Sequence, residues 1–229
     1  MAGTGGAQLP DIGIWRDLYL ECYNAGRIED VVIRQKHTWK ERPQMGELSQ
    51  EEYIEAVEQS DTVSLSVEVK PEQDTNLENT KVIVTLTDPK RRAARANRFA
   101  DNKKKQSVQK FLVAQPKLWW CNGLGDQPLY KVQVSLVDNN QFVLDSKEYS
   151  IGLRELTVST KKDEWGNEFA FVINGIHIFS MGADYIPEDC IYPWITKERI
   201  EALIRSSVKA NYNMLRVWGG GYYPSDTFY

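Results

Sequence analysis

The sequence predicts a mainly β chain in which a β-sandwich precedes the first β-α-β part of a (β/α)8 barrel. Three observations carry this. Short runs that alternate apolar and polar residues recur between turn residues from Asp30 to Ser150, as strands with one face in a core do. The stretch 197–210 instead repeats apolar residues at helical spacing, between two short apolar runs. The second of those runs, Met214–Trp218, is broken by one arginine and followed by three glycines.

Composition narrows the function classes. At 229 residues the chain can bury a substantial core in one large or two smaller domains. Its 41% hydrophobic and 26% charged residues are ordinary for a globular protein. A net charge of −4 gives no reason to expect nucleic acid or an anionic membrane as partner. No run of about 20 apolar residues is present. The start, Met1–Ala7, lacks the basic and apolar regions of a secretory signal, so a cytoplasmic location is expected. Cys22, Cys121 and Cys190 are widely spaced, which suits a reducing compartment and gives no zinc or redox pattern.

Taken in order, Leu18, Leu20 and Cys22 alternate with Tyr19 and Glu21, predicting a half-buried strand near the start. The sandwich strands are predicted at Val31–Gln35, Thr62–Lys70, Lys81–Leu86, Ser107–Ala114, Tyr130–Val137 and Gln141–Tyr149. Val63, Leu65, Val67 and Val69 alternate cleanly with Ser64, Ser66 and Glu68, and Asp138-Asn139-Asn140 suits the last turn. Ser49-Gln50-Glu51-Glu52 is a capping box opening a helix to Gln59, with Tyr53, Ile54 and Val57 on one face. The basic run Lys90–Arg98, with Lys103–Lys105, has Phe99 as its one aromatic and reads as a solvated loop rather than a nucleic-acid surface. Leu118-Trp119-Trp120 before Asn122–Gly125 predicts a tight loop pinned by two indoles, and Ser159–Asn167 a polar surface loop.

The last third is the informative part. Asn174-Gly175 between Phe169–Ile173 and Ile176–Ala183 is a strong hairpin signal, because both turn positions need φ > 0. Thr196 is the expected N-cap of a helix whose stripe is Ile200, Leu203, Ile204 and Val208. Met214–Trp218 reads as a strand buried on both faces, as in a parallel sheet. A guanidinium is costly to bury unpaired, so Arg216 must meet a carboxylate or a polar ligand. Trp218 lies on the same side two residues on, at the strand's C-terminal end, where barrels build their sites. Gly219-Gly220-Gly221 permits a sharp turn but lacks the Lys-Ser/Thr of a phosphate loop. His37 and His177 stand alone and read as satisfied side chains rather than metal ligands.

Ile173-Asn174-Gly175, Met181–Asp189 and Asn213–Gly221 resemble the opening of the catalytic barrel in glycoside hydrolase family two β-mannosidases. Gln8–Asp17 and Leu118–Tyr130 are similar to upstream runs of that family, in the same order. The resemblance implies that 1–27 is the C-terminal strand of a truncated jelly-roll sugar-binding-type domain. It makes 28–152 an immunoglobulin-like sandwich and 153–229 the N-terminal part of a TIM-barrel catalytic domain. It further implies a retaining exo-glycosidase acting on oligosaccharides with terminal β-D-mannose, without metal or organic cofactor. Glycoside hydrolysis needs two carboxylates, and no glutamate here matches either family position, so the chain alone is expected to be inactive. Arg216, Trp218, Asp184 and Tyr185 are carried over as substrate-binding residues, although the family usually has Asn and Trp where this chain has Asp184 and Tyr185. Glu168, Glu188 and Glu198 read as loop or helix-surface residues. Alternatives are another family-two exo-glycosidase, such as a glucosaminidase, or a non-catalytic sandwich scaffold or carbohydrate-binding module. The oligomeric state is left open.

Overall fold

The computed structural model describes residues 13–229 except 15, 24, 45, 47, 73–79, 100–105 and 227, with backbone alone at 95–99. Gln8–Ile12, Trp15 and Lys103–Lys105 therefore lie outside the described residues. The chain divides into two compact units, Cys22–Phe179 and a smaller one of Ser180–Tyr229 with the residues up to Glu21.

The larger unit contains a sandwich. One sheet has the order β1 (Ile28–Trp39), β2 (Asp61–Pro71), β5 (Ser107–Ala114). The other runs β4 (Ala93–Phe99), β3 (Thr80–Thr87), β6 (Tyr130–Asp138), β7 (Val143–Ile151), and every pairing is antiparallel. The predicted alternation sets the core. Val63, Leu65, Val67 and Val69 of β2 and Val82, Val84, Val132, Val134 and Leu136 of β3 and β6 are inaccessible and share one cluster. A one-residue slip of any of these strands would turn its whole apolar set to water. Each valine or leucine so buried contributes about 1.5–3 kcal/mol.

Helix α1 (Gln50–Ser60) begins on the predicted capping box, in which Ser49 Oγ accepts from Glu52 N and Glu52 Oε2 from Ser49 N. It buries Tyr53 and Val57 in the core. Its last turn holds Glu58, which accepts from Leu118 N at 3.0 Å and pairs with Lys117. The Trp-Trp loop is pinned as expected. Trp120 is buried in the sandwich core, and Trp119 lies under the Arg154 guanidinium with Gly152 against its ring. A side chain at Gly152 would collide with that indole.

A small antiparallel sheet, β8 (Leu156–Ser159), β9 (Ala170–Ile173) and β10 (Ile176–Ile178), completes this unit. Asn174 (φ 48°) and Gly175 (φ 90°) take the left-handed conformations that the turn demands. Asn174 is wholly buried: its side chain accepts from Glu155 N and donates to Trp119 O, and its carbonyl accepts from Tyr53 OH. Ile173 and Ile176 thereby join the sandwich core, so the hairpin packs with the sandwich and the division between units falls at Phe179/Ser180.

Several readings need correction. Leu18–Cys22 forms no strand, and Leu18 and Leu20 are 82% and 90% exposed; alternation makes a strand only where an edge is available to pair with. Half of the basic run is not a loop, because Ala93–Phe99 pairs with β3. Charge does not forbid an edge strand, and it discourages further pairing there. Leu156–Ser159 is a strand lying partly in the stretch read as loop. The second hairpin arm stops at Ile178, and the next strand starts afresh at Gly182.

In the smaller unit, β11 (Gly182–Tyr185) and β12 (Met214–Val217) pair in parallel, joined through α2 (Lys197–Lys209). Thr196 caps α2 as predicted, accepting from Arg199 N. Ile200 is the one buried residue of the stripe, and Val208 is 48% exposed. β12 is correspondingly half-open rather than buried on both faces.

Candidate functional site

The strand ends of the smaller unit bring the predicted residues together by register. Asn213 ties the start of the pair, its Oδ1 accepting from Met181 N at 2.9 Å and its own N–H donating to Met181 O. Gly182 then passes so close to the Met214 carbonyl that no Cβ would fit. Asp184 stands opposite Arg216 in the ladder. At the other end Trp218 N donates to Tyr185 O at 3.0 Å, which extends the alignment past the strand end.

Strand alternation separates the residues onto two faces. On one, Arg216 Nη1 donates to Asp184 Oδ1 at 3.0 Å, with side chains 66% and 46% exposed. This is the carboxylate that the arginine was predicted to need. Trp218 follows Arg216 by two residues, half-buried, with Gly220 tucked under its ring. By the same alternation Ala183, Tyr185 and Leu215 lie on the other face; they line a cleft of about 380 Å³ with Leu203, Ser206 and Ser207 of α2, and Asp184 borders it as well. Tyr185 is buried, whereas the side chains of Asp184 and Arg216 stay exposed.

Tyr185 is thus set apart from the other three. It is buried, its ring lies 4.4 Å from that of Phe228, and its hydroxyl donates to Glu188 Oε2 at 2.8 Å. Burial first, and the Glu188 bond second, push its phenol well above the usual range. Glu188 Oε1 is buried without a partner among the described residues. Glu188 lies in a loop, as expected, but half-buried, and no spacing in the sequence marked its bond to Tyr185. Beside it, the Tyr192 and Tyr222 rings meet at a tilt of 59° with centroids 4.0 Å apart, and with Tyr185, Ile200 and Asp226 they border a cleft of about 590 Å³.

The loop after β11 is held by charge. Asp189 accepts from Ile191 N and, at 3.1 Å, from Arg199, which also donates to Trp194 O. The Ile191 bond and then the Arg199 bond hold the Asp189 carboxyl below its ordinary range. Elsewhere, Glu198 stays in the first turn of α2 and Glu168 accepts from Ser159 Oγ. His37 is satisfied by Asp61 at 2.6 Å, whereas His177 is exposed. Among the described residues, no group of three His, Cys, Asp or Glu could hold a metal, all three cysteines are free, and no helix is long and apolar enough to cross a membrane.

Residues 52–154 match the model of glycosyl hydrolases family 2. The chain is 33% identical over 224 residues to β-mannosidase B of Aspergillus flavus, covering 98% of this chain and 24% of that protein, and the match to the Aspergillus oryzae protein is equal in extent. It therefore spans about a quarter of the length of the curated relatives it matches. The crystal structure of β-D-mannosidase from Dictyoglomus thermophilum superposes with a TM-score of 0.69 at 27% identity, over 91% of this chain and 23% of that one. A Bifidobacterium dentium β-glucuronidase complexed with coumarin-3-O-glucuronide shares the fold, with a TM-score of 0.63 at 14% identity over 89% of this chain and 28% of that one.

Proposed function

We propose that this chain, which is similar to the glycosyl hydrolases of family 2 and to β-mannosidases among them, supplies part of the sugar-contacting wall of a retaining exo-glycosidase. That enzyme would release terminal β-D-mannose from oligosaccharides. One observation carries this reading. Arg216, Asp184 and Trp218 gather at the C-terminal ends of two parallel strands, with the side chains of Arg216 and Asp184 on an open face. In a closed barrel the helices lie outside, so that open face would be the lumen and those strand ends the mouth that holds substrate. A guanidinium–carboxylate pair offers donors and acceptors to hydroxyls, and an indole offers a flat apolar face to a pyranose ring.

Chemistry limits the share of this chain. A retaining mechanism needs an acid/base and a nucleophile about 5–5.5 Å apart. Glu188, the glutamate nearest the site in sequence, has one oxygen engaged by Tyr185 and the other buried. Neither oxygen is free to attack an anomeric carbon, so both catalytic carboxylates would come from segments beyond this chain. A glucosaminidase would use an acid to hold the ammonium; Asp184 is instead engaged by Arg216, which favours a neutral sugar.

The test is hydrolysis of p-nitrophenyl β-D-mannopyranoside. The chain alone is expected to release no nitrophenolate above the buffer rate. Turnover by the chain alone would contradict the assignment of both carboxylates to other segments.

A further inference from the structure

We infer that Asp184 is a specificity-determining residue that makes this site select uncharged pyranosides and refuse uronates. This rests on the proposal that Arg216 and Trp218 face the sugar. A lone guanidinium at a strand end, 66% exposed and in reach of a ligand, is a natural anchor for a carboxylate, which it can grip with two parallel N–H bonds. Here that anchor is already taken. Asp184 is the ladder partner of Arg216, not a distant residue that happens to swing near it, and the bond is 3.0 Å long. The two backbones therefore hold the pair together whether or not ligand is present. Both side chains rise from the same face of the sheet, so a ligand meeting one meets the other.

The consequences are electrostatic and geometric. The pair carries no net charge, so an anionic sugar gains little from Arg216 and meets the like charge of Asp184. Asp184 uses Oδ1 and Arg216 uses Nη1 for their mutual bond, and neither has another partner among the described residues. Oδ2 remains as an acceptor beside free guanidinium N–H donors. An acceptor next to a donor suits two neighbouring hydroxyls of a neutral ring, each of which can give or take a hydrogen bond. It does not suit a carboxylate, which only accepts. The environment supports this assignment, since the positively charged residues nearest in sequence, Lys197, Arg199, Arg205 and Lys209, belong to α2, where Arg199 is paired with Asp189 and Arg205 with Glu201. The α2 residues that share a cleft with Asp184, namely Leu203, Ser206, Ser207 and Ala210, carry no charge, which leaves Asp184 to set the local charge.

The test compares two probes, methyl β-D-mannopyranoside and the sodium salt of methyl β-D-glucuronide, titrated into the full 229-residue chain. The readout is the backbone amide shifts of Asp184, Arg216 and Trp218, with Asp184→Asn as the variant. The substitution is isosteric and the side chain is 46% exposed, so the fold should survive, which the remaining amide shifts will verify. In the wild-type chain the neutral glycoside is expected to move these amides and the glucuronide is not. In D184N the preference for neutral over anionic sugar should fall by about tenfold, which is about 1.4 kcal/mol, through a gain in glucuronide binding that salt reverses. If D184N binds glucuronide no better while the mannoside still binds, Asp184 is not the selector and the proposed sugar wall stands. If neither probe moves these amides in either protein, the sugar wall and the selector both fall.

Discussion

Tyr185 donates its hydroxyl hydrogen to Glu188 Oε2 across 2.8 Å, and that bond fastens the end of β11 to the loop beyond it. Phe228 closes over the ring, and Glu188 Oε1 is left buried with no partner among the described residues. Tyr185→Phe should therefore cost about 1–3 kcal/mol of unfolding free energy, because it strands the second carboxylate oxygen as well. Urea denaturation followed by far-UV circular dichroism checks this, and an unchanged midpoint would refute it.

The same bond predicts an alkaline limit. The folded-state pKa of Tyr185 is raised above its ordinary value of 10.0. The unfolded chain thus releases that proton first, and the stabilisation is complete below about pH 10 and declines as pH rises beyond it. Burial raises Tyr53, Tyr130 and Tyr222 as well, so absorbance at 295 nm should show a late-ionising group of tyrosines, and Tyr185→Phe should remove one tyrosine from that late step.

How much of this was legible beforehand depends on where each partner lies. Val63–Val69 declared β2 because the alternation is local, and Asn174-Gly175 declared the hairpin because both positions bear positive φ. Arg216 announced that it needed a carboxylate, but the ladder that supplies Asp184 is a tertiary fact. Glu188 looked like any loop glutamate, since only the fold brings Tyr185 over it. Leu18–Cys22 failed in the opposite sense, carrying a strand's pattern without an edge to join. The strand at Ala93–Phe99 was hidden by its charges, although an edge strand tolerates them.

Asn174 offers the sharpest stability test in the larger unit. Its amide satisfies Glu155 N and Trp119 O in a fully buried setting, at a backbone φ of 48° that asparagine tolerates better than alanine. Asn174→Ala should cost about 2–4 kcal/mol through two lost bonds and the turn strain. Gly175→Ala should also destabilise, since its Cβ would sit 2.6 Å from Tyr53 Oη. Denaturant midpoints of the two variants, measured against the wild type, test both.

The loop clamp should be acid-sensitive. Asp189 has its carboxyl pKa lowered from 3.8 by the Ile191 and Arg199 bonds, so its hold on the loop is complete above about pH 4 and lost as pH falls below it. The Ile191 amide should shift with that transition, and in Arg199→Ala the transition should move upward. An Ile191 shift indifferent to both pH and the substitution would dismiss the clamp.

Amide exchange should divide the chain at the boundary between units. β2, β3 and β6 contain fully inaccessible valines, whereas α2 buries Ile200 alone. Amides of β11, β12 and α2 should therefore exchange through openings cheaper than those that release the sandwich core. Equal protection of both units would contradict this.

The central claim, that the open face of β11 and β12 meets a hexose, is tested most directly by the Trp218 indole N–H signal during titration with methyl β-D-mannopyranoside. A saturable shift in the wild-type chain that Arg216→Ala weakens about tenfold or more is the predicted result. A Trp218 signal that stays still, while shifts gather on the sandwich or nowhere, would contradict it.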